Sequence, residues 1–244
     1  MPNSDVRVDV VIPVYNEERA LPASIARLTD HLASSLPYAW RIVVADNASV
    51  DGTPDVGRRL AAADARIHYL RIEQKGRGRA LKQAWHASDA DVVAYMDVDL
   101  STGLDAFLPL VRSIAEGGYD VAIGSRLMRG ARVSRQWKRE LTSRGYNVLI
   151  KLFFPRRRFS DAQCGFKAVS RRVADDLVPR LLNNEWFFDS ELLIRAEQRG
   201  YRIAEVPVEW IEDTDSRVDI VRTATEDIRG LLRVRLRPLP PAGG

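Results

Sequence analysis

Two aspartates at the end of an apolar run carry the strongest chemical signal in the sequence. The run Val92–Met96 is followed by Asp97 and Asp99, and such a partly β-branched run is typical of a strand buried on both faces. Residues two apart in an extended chain point the same way, so both carboxylates share one face at the strand's carboxyl end, where open α/β sheets bind ligands. The pair indicates a Mg²⁺ or Mn²⁺ site completed by phosphate oxygens, or else a polar cap on the next helix.

The composition describes an ordinary globular chain with a mild positive charge. Its 244 residues fit one large α/β domain, and the net charge of +4 suits an anionic substrate or a membrane surface. Cys164 is the only cysteine, which excludes an internal disulfide and favours a reducing compartment. We expect no signal peptide and no membrane-spanning helix. The basic residues do not alternate with aromatic ones, so a nucleic-acid partner is not expected.

Predicted strands alternate with predicted helices along the first half of the chain, which indicates an α/β fold with a mostly parallel central sheet flanked by helices. The predicted strands are 7–13, 41–46, 67–72, 92–96, 120–124 and 203–210, with a short strand around 165–167. The predicted helices are 17–36, one from 53, one ending at 86, 104–116, 133–154, 186–199 and 216–235. Asn16 is predicted to cap the first helix.

Several polar segments follow these strands in a fixed order. They are Pro13–Glu17, Asp46–Thr53, the basic loop Lys75–Arg79 and Asp97–Asp99, and then 123–126, 161–167, 188–192 and 205–208. This set resembles the family 2 glycosyltransferases with a GT-A fold, over about residues 9–210. The downstream segments are similar to those of the polyprenyl-phosphate hexosyltransferases, a group that includes dolichyl-phosphate β-glucosyltransferases and dolichyl-phosphate mannose synthases.

The resemblance implies a nucleotide-sugar donor site with a bound Mg²⁺ or Mn²⁺ ion. It implies these donor-binding residues: Pro13, Tyr15, Glu17, Val44, Asp46, Lys75, Arg79, Asp97, Val98 and Asp99. Asp97 and Asp99 would hold the metal. The Asp46 carboxylate would accept from an N–H group of uracil or guanine, so it leaves the base open. Glu17 as a first-turn helix acid and Lys75 as a solvated charge are the alternative interpretations.

The expected acceptor is a polyprenyl phosphate, which is already anionic and needs no general base. Binding one anion beside another requires fixed cations. The resemblance implies Arg126, Arg139, Ser143, Lys167 and Arg202 around the acceptor phosphate, with Arg126 also catalytic beside Asp97 and Asp99. Asp189 and Glu191 are either further site residues or members of a buried salt bridge.

The resemblance predicts inverting transfer of a hexose, with UDP-glucose as the favoured donor. Gln163–Lys167 leans towards the glucosyl group, and Ser101 stands where mannose synthases usually have Gln. GDP-mannose or UDP-GlcNAc as donor stays open. So does a hydroxyl acceptor, which would need a base near Asp189. A nucleotide-binding module without catalysis is a further alternative.

We expect one domain over residues 1–237, with a nucleotide-sugar half at 7–103 and an acceptor half at 104–237. Within the second half, helix 137–154 combines apolar residues at helical spacing with Arg156–Arg158 just beyond it, a pattern typical of helices that lie in a membrane surface. An ordinary core helix is the alternative. We therefore expect a peripheral protein at the cytoplasmic face of a membrane, with a disordered tail at 238–244 and an oligomeric state left open.

Overall fold

The structure is a computed structural model that describes residues 5–134, 137–211 and 220–239, without the side chains of 137–144 and 220–224. The strands are β1 (Arg7–Val14), β2 (Ala39–Asn47), β3 (Ile67–Ile72), β4 (Val92–Met96), β5 (Val121–Ser125), β6 (Arg132–Ser134), β7 (Phe166–Ser170), β8 (Ile203–Pro207) and β9 (Glu209–Ile211). The helices are α1 (Leu21–Ser35), α2 (Thr53–Ala63), α3 (Arg77–Ala87), α4 (Phe107–Ala115), α5 (Trp137–Phe153), α6 (Arg171–Asp176), α7 (Phe188–Gln198) and α8 (Ile220–Leu236).

A seven-stranded sheet with the order β3-β2-β1-β4-β7-β5-β8 forms the centre of the molecule. Its pairs are parallel except that β7 runs antiparallel between β4 and β5. The carboxyl ends of β1, β2, β4, β5 and β8 therefore meet at one edge, which we call the carboxyl edge. The predicted α/β class with a mostly parallel, helix-flanked sheet is confirmed.

Two buried apolar layers cover the faces of this sheet because β1 and β4 have apolar side chains on both faces. On one face lie α1, α2 and α4, and α1 turns Leu21, Ile25, Leu28 and Leu32 inward at helical spacing. On the other face lie α3 and α5 to α8, around Trp85. Among the described helices, none is long and apolar enough to cross a membrane.

Most predicted elements exist, and the differences have local causes. Asn16 does not cap α1; it adopts a φ of 57° and its side chain accepts from the Val50 amide at 2.9 Å, while α1 begins at Leu21. The predicted strand 203–210 is divided into β8 and β9, which belong to different sheets. Leu239 packs against the core, although the disordered tail was predicted at 238–244; residues 240–244 lie outside the described residues.

Candidate functional site

The loops after β1 and β2 are tied together at the carboxyl edge. Ser49 Oγ accepts from the Asn16 amide at 3.0 Å, and Thr53 Oγ1 accepts from the Glu17 amide at 2.7 Å. Hydroxyl groups from the second loop thus satisfy backbone donors of the first. The loops after β1 and β2 therefore form one continuous surface beside the carboxyl ends of the strands.

Asp46 lies next to these loops, near the end of β2, as a buried anion. Its carboxylate accepts from the Ser49 amide at 2.9 Å, from the Tyr69 hydroxyl at 2.5 Å and from Arg71 Nη1 at 2.8 Å. Burial alone would raise the pKa of Asp46, but these hydrogen bonds outweigh it and lower the pKa. Burial and the bond to Asp46 raise the pKa of Tyr69 to about 12, so its hydroxyl stays a donor. Asp46 is therefore a fixed acceptor at the end of β2.

Asp97 follows β4 directly and is held from two sides. Arg77 Nη2 donates to Asp97 Oδ1 at 2.6 Å. On the other side Gly165 lies so close that an added Cβ would come within 1.9 Å of Asp97 Oδ2. Only glycine leaves room for the carboxylate at this position, which fixes the direction in which Asp97 faces the carboxyl edge.

The other end of Arg77 is anchored in a buried ionic cluster. Arg77 Nη1 donates to Asp189 Oδ2 at 2.7 Å, and Lys167 Nζ pairs with Asp189 Oδ1 at 2.9 Å. Tyr95 donates its hydroxyl to the same carboxylate. Burial would raise the pKa of Asp189, but the charges of Lys167 and Arg77 outweigh it and lower the pKa. Asp189 is thus a stable anion that positions Arg77, and through it Asp97.

The residues at the end of β4 fit a divalent ion. The Asp97 side chain is 42% exposed, and Asp99 is an exposed residue whose Oδ1 accepts from the Ser101 amide at 3.0 Å. Two reachable carboxylates supply hard oxygen ligands and leave positions for diphosphate oxygens and water. In the part of the chain that the structure describes, no group of three or more His, Cys, Asp or Glu side chains forms an all-protein metal site.

The other predicted donor residues gather at the same edge, with one exception. The Lys75 ammonium lies 3.5 Å from the centroid of the Tyr15 ring, and Arg79 donates to the carbonyl oxygen of Lys75. Pro13, Glu17 and Val98 are partly exposed there. Val44 is the exception and a correction: its side chain belongs to the buried apolar layer against β2 and does not line the edge.

The predicted acceptor residues separate into three groups. Arg126 follows β5 directly at the carboxyl edge, where its Nε and Nη2 donate to the Asp161 carboxylate at 2.7 and 2.9 Å. Arg126 is thus half of a largely buried ion pair with Asp161 at this edge. Arg139 and Ser143 belong to the first half of α5, and their side chains lie outside the described residues.

Two acceptor assignments need correction. Lys167 is completely buried and its ammonium contacts Asp189 and the Cys164 carbonyl, so it acts within the ionic cluster. Arg202 precedes β8 at the opposite edge of the sheet, where it donates to the Gly118 carbonyl at 3.1 Å. Arg202 is therefore far from the ends of β1, β2 and β4.

Sequence reasoning missed Arg77 and Gly165, although both lie in segments that it singled out. Arg77 looked like one more charge in a basic loop, because its partners Asp97 and Asp189 are distant in sequence. The sequence left open whether Asp189 is a site residue or a member of a buried salt bridge. The structure places Asp189 in a salt bridge with Arg77, which supports the site.

Comparison with known proteins matches this arrangement to one family. Residues 9–178 match the model of glycosyl transferase family 2. The chain belongs to that family. Its structure is also similar to that of glucosyl-3-phosphoglycerate synthase from Mycobacterium tuberculosis, solved with Mn²⁺, UDP-glucose and phosphoglyceric acid, with a TM-score of 0.72 and 21% identity over 98% of this chain and 82% of that one. The likeness supports the expected GT-A fold, and the chain is a glycosyltransferase.

Curated relatives align with most of the length of this chain. The glycosyltransferase AglD of Haloferax volcanii is 42% identical over 93% of this chain. A dolichyl-phosphate β-glucosyltransferase of Trichomonas vaginalis, ALG5C, is 30% identical over 89% of this chain and 67% of its own length. One from Dictyostelium discoideum is 26% identical over 98% of this chain and 76% of its own length. The chain spans 36% of the length of AglD.

Proposed function

We propose that this glycosyltransferase moves glucose from UDP-glucose to the phosphate of a polyprenyl phosphate, with inversion at the sugar carbon. The name of the Trichomonas and Dictyostelium relatives supports the sugar and the lipid acceptor. The UDP-glucose and Mn²⁺ in the structural neighbour support the donor and the metal.

The donor half of the site suits a uridine nucleotide. The Asp46 carboxylate is ionised and fully buried, so a uracil base would have to displace residues that cover it before its imide N–H met this charged acceptor. Tyr15 supplies a ring for the base and Lys75 a cation for the diphosphate. A divalent ion held by Asp97 and Asp99 would neutralise the UDP that departs.

The state of Asp189 is the single observation that carries the choice of acceptor. A hydroxyl acceptor needs a general base with a pKa near the working pH, and Asp189 was the candidate. Its carboxylate is instead occupied by Arg77, Lys167 and Tyr95, and its pKa is lowered. A phosphate monoester removes the need for a base, because its anionic oxygen attacks the sugar carbon while the bond to UDP breaks.

The acceptor phosphate needs cations near the sugar, and Arg126 is the described residue of the predicted acceptor set that lies at the carboxyl edge, where it would have to share its guanidinium with Asp161. Arg126 follows β5 directly at that edge. Arg139 and Ser143 remain predictions for the same role. Because polyprenyl phosphates reside in membranes, we propose that the chain works as a peripheral protein at the cytoplasmic face.

One observation favours a second candidate, in which the acceptor is a hydroxyl group. Asp227 of α8 is buried, and burial together with the charge of Glu226 raises its pKa to about 7. Its Oδ2 accepts from Gln163 Nε2 at 3.4 Å, while Oδ1 has no hydrogen-bond partner within the described residues. A carboxylate with a pKa near 7 can act as a base, provided that the acceptor hydroxyl comes within hydrogen-bond reach of it.

A matrix of donors and acceptors tests the proposal. The protein is incubated with UDP-glucose, UDP-GlcNAc or GDP-mannose and with Mg²⁺ or Mn²⁺, each with a polyprenyl phosphate or with the parent polyprenol. Mass spectrometry should find glucosylated lipid only with UDP-glucose and the phosphate. Asp227→Asn separates the candidates: full turnover in this variant agrees with the phosphate acceptor, and its loss together with transfer to a hydroxyl would favour the second candidate.

A further inference from the structure

Three arginines beyond the end of helix α5 take no part in the proposed reaction. Their sequence pattern is typical of a membrane surface, but the structure separates them. Arg157 turns inward, and its Nη2 donates to the Asn147 carbonyl at 2.6 Å. Arg156 and Arg158 are exposed and line a cavity together with Arg202, which directly precedes β8. The cavity therefore lies at the edge of the sheet opposite the carboxyl edge.

We call this space the amino-edge cavity. Its volume is about 1130 Å³, which is enough for a small organic ligand. Its walls come from the segment after α5, the end of α7, the beginning of β8 and the end of α8. The charged residues that line it are Arg156, Arg157, Arg158, Arg202, Arg235, Glu197 and Glu205. Among them, cations outnumber acids.

The charges of three of these arginines are available to a ligand. Within the described residues, no ion pair or side-chain hydrogen bond involves the guanidinium groups of Arg156, Arg158 and Arg235. Both acids, in contrast, accept from backbone amides of the cavity wall, at 2.7 and 2.6 Å. Unpaired positive charges around one cavity attract an anion, and the planar guanidinium group matches the oxygen atoms of a phosphate.

Contacts within the wall hold the lining groups in place. Glu205 Oε1 accepts from the amide and from Oγ of Ser160 at 2.6 and 2.9 Å, and Ser160 Oγ lies 2.7 Å from Ser125 Oγ of β5. The Arg202 guanidinium lies 4.5 Å from the centroid of the Tyr119 ring. Because the wall is ordered before a ligand arrives, the entropy cost of binding is reduced.

The remaining parts of the lining indicate what the anion carries. Phe154 and Tyr201 add aromatic surface, and Gln198 and Glu205 add side-chain oxygen atoms. Such oxygen atoms accept hydrogen bonds from hydroxyl groups, and aromatic rings offer apolar surface to the C–H groups of a sugar. A sugar phosphate combines the anion, the hydroxyl groups and the C–H groups in one molecule.

A lipid headgroup can carry the same groups, but the acids of the cavity favour a soluble ligand. Glu197 and Glu205 would face the phosphates of an anionic bilayer, and like charges repel. A small ligand that enters the cavity can instead turn its hydroxyl groups towards these acids and its phosphate towards the arginines. The soluble ligand is therefore the one that uses the whole lining.

We propose that the amino-edge cavity is a binding site for a soluble sugar phosphate. Arg156, Arg158 and Arg235 bind the phosphate group, and Glu205 accepts from hydroxyl groups of the sugar. The site is distinct from the carboxyl edge, because the two lie at opposite ends of the central strands. It does not depend on the proposed function, since none of its residues holds the donor or the acceptor there.

Titration calorimetry tests the site on protein that is first saturated with UDP and Mg²⁺. The probe is glucose 6-phosphate, compared with inorganic phosphate and with glucose. We expect saturable binding of glucose 6-phosphate, weaker binding of inorganic phosphate because it lacks the sugar, and no binding of glucose because it lacks the charge. Filling the carboxyl edge beforehand removes it as a competing place for the probe.

Two matched variants locate the bound probe. Arg156→Gln with Arg158→Gln should weaken the binding of glucose 6-phosphate by at least about tenfold, because charged hydrogen bonds to the phosphate are lost. Arg27 and Arg59 are exposed on α1 and α2, which do not line the cavity. Arg27→Gln with Arg59→Gln removes the same charge and should bind the probe as the wild type does. Thermal unfolding verifies that both variants are folded.

Three results would overturn the inference. The wild-type protein fails to bind glucose 6-phosphate at millimolar concentration; or saturation with UDP and Mg²⁺ abolishes binding that the free protein shows; or the control variant loses as much affinity as the cavity variant. If the wild-type protein ignores the probe, flotation with vesicles of phosphatidylcholine and phosphatidylglycerol identifies the source of the phosphate. Vesicle binding that Arg156→Gln with Arg158→Gln abolishes would then assign the cavity to a lipid headgroup and contradict a soluble ligand.

Discussion

Replacing Asp227 with Asn should make the protein more stable at neutral and alkaline pH. Asp227 is 3% exposed, and burial with the nearby Glu226 charge raises its pKa from 3.8 to about 7. Between about pH 4 and pH 7, the folded protein therefore keeps a proton on Asp227 that the unfolded chain has already released. Stability from this group is present below about pH 4 and is lost as the pH rises through 7.

The size of the effect follows from the pKa difference. Each unit corresponds to about 1.4 kcal/mol, so the ionised side chain would cost at most about 4 kcal/mol above pH 7. The asparagine amide has two N–H donors, whereas the protonated aspartic acid has one O–H donor. If the additional N–H lacks a partner, its burial offsets about 1–2 kcal/mol of the gain. We expect Asp227→Asn to raise the free energy of unfolding by about 2 kcal/mol at pH 8.

Urea unfolding at pH 5 and pH 8 measures this difference. The gain of Asp227→Asn over the wild type should be larger at pH 8 than at pH 5, and the exposed Asp105→Asn serves as the control. Because the pKa values of Asp46 and Asp189 are lowered, the free energy of unfolding changes through these two groups only at acid pH. They therefore do not affect the comparison between pH 5 and pH 8. An equal difference at both pH values would refute the titration of Asp227 in this range.

Three further predictions concern the carboxyl edge. Gly165→Ala should push Asp97 out of place and lower turnover by about a hundredfold, whereas Gly145→Ala, with nothing within 4 Å of the added methyl, should leave turnover unchanged. Arg77→Gln should cost about 3 kcal/mol of stability in urea unfolding, because it removes one partner of a buried ion pair, and a normal unfolding midpoint would contradict the cluster. Asp46→Asn should weaken UDP binding in calorimetry by about 1–3 kcal/mol, and unchanged UDP affinity would contradict its role.

The sequence was sufficient for the features that depend on local pattern. The apolar Val92–Met96 run predicted a buried strand, and β4 has that form. Asp97 and Asp99 follow it in a turn, which the Leu100 amide closes on the Asp97 carbonyl at 3.1 Å, and not in the extended chain that the prediction assumed. Asp46 was placed at the end of a neighbouring strand for the same reason. Chain order then brings these ends to one edge, because parallel strands joined by helices share a direction.

The features that failed depend on contacts distant in sequence. Lys167 looked like a phosphate ligand because its charge was visible and its burial beside Asp189 was not. Arg77 reaches Asp189 across 112 positions, and no local pattern indicates such a pair. Arg202 was assigned by resemblance, although its position before β8 places it at the opposite edge from the site.

Transfer of labelled glucose to lipid tests the central claim most directly. The protein is mixed with UDP-glucose labelled in the sugar, a polyprenyl phosphate and Mn²⁺, and label in the extracted lipid is counted for the wild type and for Asp99→Asn. We predict labelled lipid that depends on the phosphate group and on the metal, disappears with excess chelator, and falls at least about a hundredfold in the variant. Wild-type protein that leaves the lipid unlabelled, or an Asp99→Asn variant that labels it at the wild-type rate, would contradict the account.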